Sequence, residues 1–79
     1  MPEIYFTMGE LNYKRVSFGK FYNGHRLDSL FNDNKYTGVI TDDEATYFFV
    51  NQDVPVYRVE TDDQRIFNVR HGDVTFLED

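Results

Sequence analysis

The stretch that most constrains this chain lies at residues 34–54, NKYTGVITDDEATYFFVNQDV. Two runs in it, 36–40 and 46–50, are rich in β-branched and aromatic residues, and such residues fit a pleated, half-buried surface. Tyr47, Phe48 and Phe49 form the densest aromatic cluster of the sequence. Thr41 and Glu44 stand in capping-box spacing, which competes for a helix start at Asp42. The β-branched and aromatic run that follows is a poor helix sequence and favours strand. The expectation is therefore a hairpin, strands 36–40 and 46–50 joined by an acidic tip of Asp42, Asp43 and Glu44.

Any core must be built on these aromatics. A chain of 79 residues forms one small domain, 1–79, and buries only roughly 60% of the surface its unfolded form exposes. With no cysteine, disulfides and thiolate metal sites are excluded. Eight Phe and six Tyr compensate, since each aromatic buries about 150–250 Å².

Either side of the hairpin the pattern stays short and extended. Residues 4–8 alternate as a first strand. Residues 12–22 carry Val16, Phe18 and Tyr22 on one parity, with Gly19 predicting a bulge or sharp bend. Asn23 and Gly24 are a turn signal. Leu27, Leu30 and Phe31 fall at helical spacing, enough for one short helical segment near residues 25–31. Residues 51–55 read as a loop because Pro55 bars a central strand. Strands follow at 56–60, 65–70 and 73–77, separated by polar turns. Phe49, Phe67 and Phe76 read as core, whereas Phe21 and Phe48 divide between core and surface. About six short strands with regular turn signals predict an all-β domain, a small twisted barrel of OB-like or SH3-like type.

Chemistry is sparse. His25 and His71 have Ser17, Ser29, Asp28 and Asp73 as sequence companions, but no nucleophile elbow surrounds them. Asp42, Asp43 and Glu44 lack the spacing of a calcium loop, as do Asp62 and Asp63. No enzyme, cofactor or metal is expected. The net charge of −6 argues against duplex DNA, which rewards clustered Lys and Arg. No run approaches a membrane span and no signal peptide is evident, so a cytoplasmic protein is expected.

One partial resemblance adds to this. Lys20, Phe21, Tyr22 and Asn23, then Lys35 to Ile40 with Gly38, then an acidic turn and Tyr47, Phe48, Phe49, Val50 and Asn51, resemble the early strands of cold-shock domains in the family's order. The resemblance spans residues 19–54. It implies a five-stranded barrel that stacks on single-stranded RNA or DNA, here through Lys20, Phe21, Lys35 and Phe48. The family's other stacking positions become Thr37, Val39, Val50 and Asn51, which carry no ring, and residues 24–34 are an insertion. At about 1–3 kcal/mol per stacked base, that loss removes most of the affinity.

The leading expectation is therefore a non-enzymatic acidic protein that binds another protein. Asp42, Asp43, Glu44, Asp62 and Asp63 would form a rim around Tyr36 and Phe48, steering it to a basic surface that it occludes, as a phage or mobile-element inhibitor would. Single-strand binding is the alternative. A subunit of a structural assembly, self-associating through an open edge strand, fits the same sequence.

Overall fold

The computed structural model describes residues 11–29 and 36–77. They form β1 (Arg15–Phe18), β2 (Lys20–Asn23), β3 (Arg26–Ser29), β4 (Tyr36–Phe49), β5 (Gln52–Thr61), β6 (Ile66–Arg70) and β7 (Val74–Phe76), with a 3-10 turn at His71–Asp73. The strands make one antiparallel sheet in the order β3-β2-β6-β5-β4-β1-β7. The described residues are all-β, as expected. The sheet is open, however, since β3 and β7 are edges and no described pairing joins them. The predicted strand 12–22 does bend at Gly19, and the bend sends its halves to different places. β1 pairs with β4, while β2 and β6 share one described ladder pair, Tyr22 and Asn68. A single pair is too little to close a ring.

The expected helical segment is replaced, over its described part, by β3, which pairs with β2 across Gly24 and His25. Gly24 sits at φ 62°, the left-handed position that glycine occupies freely. Leu30, Phe31 and the strand read at 4–8 lie outside the described residues.

The central hairpin differs most from the expectation. Residues 36–49 are one strand, with register shifts between Ile40 and Asp42 and between Asp42 and Ala45. The acidic run is a bulge and not the tip. Its freed groups are satisfied locally and from afar. The Glu44 amide donates to Asp42 Oδ1 at 3.0 Å and the Asp43 amide to Asn12 Oδ1 at 3.0 Å, while Asp43 Oδ2 accepts from the Leu11 amide at 2.9 Å. The real turn is Val50 and Asn51, both left-handed at φ 52° and 63°. Pro55 lies within β5 opposite Thr46. β6 begins to pair only at Val56, so the missing N–H of Pro55 leaves no bond unmade on that side.

Side-chain parity then divides the interior. One cluster holds Val16, Phe18, Ile40, Tyr57, Val59, Phe67 and Val69. A second holds Tyr22, Ala45 and Val56, with Tyr47, Phe49 and Val54 packed against it. Val56 and Val59 are three residues apart on one strand, so the clusters occupy opposite faces. Phe76, expected in the core, is 46% exposed because it ends the three-residue edge strand β7, which pairs with β1 on one side only.

Candidate functional site

The second cluster fixes where the outer half of the β4–β5 hairpin goes. Tyr22 stacks on Tyr47 at 4.9 Å between centroids and lies 4.7 Å from Phe49. The Tyr47 hydroxyl donates to the Gly24 carbonyl at 2.8 Å. These contacts dock the hairpin arm beside the β2–β3 turn, so two hairpin ends meet at one end of the molecule.

Alternation then dictates what the arm shows outward. With Ala45, Tyr47 and Phe49 turned in, Glu44, Thr46 and Phe48 turn out. Their cross-strand companions Pro55 and Asp53 share that face. All five are exposed. Phe48 is 68% exposed and Val50, in the turn, 73%. A cleft beside them is lined by His25, Phe48, Phe49, Val50 and Asn51. From Tyr36 to Tyr57 the sequence has four acids (Asp42, Asp43, Glu44 and Asp53) and no Lys or Arg. Glu44 and Asp53 are in no ion pair among the described residues. The arm is thus an apolar tip in a negative field. A rigid aromatic on such a face can fill a pocket of a partner, and the charge can orient its approach.

The residues predicted as one protein-binding rim are not gathered together. Phe48 and Glu44 share the arm's open face. Asp42 lies across from Arg58, 3.9 Å away, and Asp43 braces the bulge. Asp62 and Asp63 occupy the β5–β6 turn, about 25 Å along β5 from Asp53. There the Thr61 hydroxyl donates to Asp63 and Arg65 Nε lies 2.8 Å from it. The Thr61 bond first, with the Arg65 charge adding to it, holds the Asp63 carboxyl below the ordinary carboxylate range against a smaller opposing effect of desolvation. Tyr36 is half-buried against Phe18 and Phe67, with the Arg65 guanidinium 5.5 Å above its ring.

The nucleic-acid set is likewise dispersed. Phe21 packs edge-on against Phe67 at 4.8 Å and is half-buried. Lys20 is exposed at the head of β2, and Lys35 lies outside the described residues. Thr37 and Val39 face away from the Tyr36 and Ile40 side. Val50, Asn51, Asp53 and His25 were not singled out as protein-binding residues by the sequence, although the parity of Tyr47 and Phe49 against Phe48 could have signalled which ring turns outward.

Of the histidines, His71 stacks on Tyr57 at 4.1 Å and His25 lies in the β2–β3 turn. Among the described residues, no three His, Asp or Glu side chains gather as a metal site, and no helix is long and apolar enough to cross a membrane. Comparison of the chain with protein-family models, curated proteins and solved structures gives no match.

Proposed function

We propose that this is a non-enzymatic binding protein that contacts another protein through the outer half of the β4–β5 hairpin. The carrying observation is the open face of that arm, where Phe48 and Val50 stand exposed between unpaired acids. Phe48 is the anchor, Val50 widens the apolar contact, and Asp53 and Glu44 select a partner whose apolar pocket has a basic rim. Occlusion of that basic surface is the mode of action. The fold that presents the arm is a partly opened small barrel. The bent β1–β2 segment flanks both β4 and β6, and the curl of the sheet brings Phe76 within 6.2 Å of Tyr57 three strands away.

The test is affinity capture from the source cells at low salt with four forms of the chain: wild type, Phe48→Ala, Asp53→Lys and Asp62→Lys. The expected result is a captured protein retained by wild type and Asp62→Lys and lost by the other two. The same captured set from all four would contradict the proposal.

A further inference from the structure

A second exposed apolar surface lies far from the arm and has the opposite charge. Leu11, Tyr13, Phe76 and Leu77 line a cleft whose rim carries Lys14 and Arg15. Tyr13 is 79% exposed and sits at φ 69°, an uncommon conformation for an aromatic residue. Lys14 and Arg15 are two of only three described Lys or Arg residues in no ion pair, Lys20 being the third. Asp43, behind the cleft, is engaged with the Leu11 amide. Among the described residues the cleft is therefore apolar with a basic lip, and the arm is apolar with an acidic flank.

We infer that the occupant of this cleft is the arm of a second copy of the chain, so that copies associate head to tail. The inference rests on the reading of the arm as a binding surface and names a partner for it. The two surfaces are complementary in charge: Asp53 lies beside Phe48 across the β4–β5 ladder, and Lys14 and Arg15 lie beside Tyr13. Geometry rules out a contact within one molecule. Arg15 pairs with Val39, and Val39 and Phe48 face Glu60 and Asp53, seven residues apart on β5, which puts Phe48 about 23 Å away. The two surfaces are different patches, so the contact is heterologous and does not close as a two-fold dimer does. Phe48 and Val50 offer a small area, so association is weak and rises with concentration.

Sedimentation velocity on the full chain tests this, from about 10 µM to about 1 mM at low salt, where small interfaces associate. The expected result is a sedimentation coefficient that climbs with concentration and falls back on adding salt. Phe48→Ala with Asp53→Lys removes the arm, and Lys14→Glu with Arg15→Glu removes the cleft. Each should weaken association about tenfold or more. Mixed together, the two variants should form a one-to-one dimer and nothing larger, because one good arm meets one good cleft. Should the cleft variant not fold, Lys14→Gln with Arg15→Gln serves in its place. A wild type that stays monomeric throughout would overturn self-docking, yet leave the arm free to bind a different basic protein. Association unchanged by both variants would also overturn it. So would a monomer that binds single-stranded oligonucleotide through Lys14 and Arg15.

Discussion

At Val50 a β-branched residue occupies a left-handed turn position where asparagine or glycine is usual. Val50→Asn should relieve that strain and raise stability by about 1 kcal/mol in urea denaturation. It should also weaken capture of the partner, because an apolar contact is lost. Strain kept at an exposed apolar position is the pattern expected where the side chain has a use outside the fold. Gly38 shows the opposite constraint. A Cβ there would lie 2.9 Å from the Glu60 carbonyl carbon and 2.9 Å from Val59 Cγ1. Gly38→Ala should therefore lower stability by about 1–3 kcal/mol in the same denaturation experiment. Asp63 carries a pH dependence. The Thr61 hydroxyl and the Arg65 guanidinium hold its carboxyl below the ordinary aspartate range in the folded chain, so its contribution to stability is present above the unfolded pKa and is lost as pH falls through the lower, folded one. Asp63→Asn should lower the melting temperature at pH 7 and flatten the acid limb of the profile, so that variant and wild type converge as pH falls below about 4.

The arm is the element on which sequence and structure diverge most. Asp42, Asp43 and Glu44 have turn chemistry, and the sequence offered no local reason to place it in mid-strand. The reason is distant: Asn12 and Leu11 supply the bonds that hold the bulge, from more than thirty residues away. Val50 and Asn51 lack the glycine that marks a two-residue turn, so the true tip carried little signal. Where the chemistry is local, it was legible. Gly24 turns the β2–β3 hairpin, Gly19 bends its strand, and β6 and β7 fall within their predicted bounds. The same logic predicts how the arm is held. Tyr47→Phe keeps the stack on Tyr22 but removes the hydroxyl bond to Gly24. Stability should fall by about 0.5–1 kcal/mol, and amide exchange should quicken in residues 44–56 ahead of β6.

For the whole molecule, the two-faced core joins fold to proposed function. A sheet with one interior would leave Tyr47 and Phe49 in water or would turn Phe48 inward. Placing Tyr22, Ala45 and Val56 on the second face partly buries the former pair and exposes the latter residue. Charge follows the same division. Arg26, Arg58, Arg65 and Arg70 are paired with Asp28, Asp42, Asp63 and Asp73, which among the described residues leaves unpaired acids on the arm and unpaired cations at the opposite cleft. The sequence showed the net charge but not this separation, because it depends on which partners the register brings together.

The central claim is that Phe48 touches a partner protein. A photoreactive benzophenone side chain in place of Phe48, with the same replacement at the exposed Asp62 as comparison, tests it most directly in the source cells. A covalent adduct to a protein is expected from position 48 and none from position 62. Adducts of equal yield from both positions, or none from position 48, would contradict it.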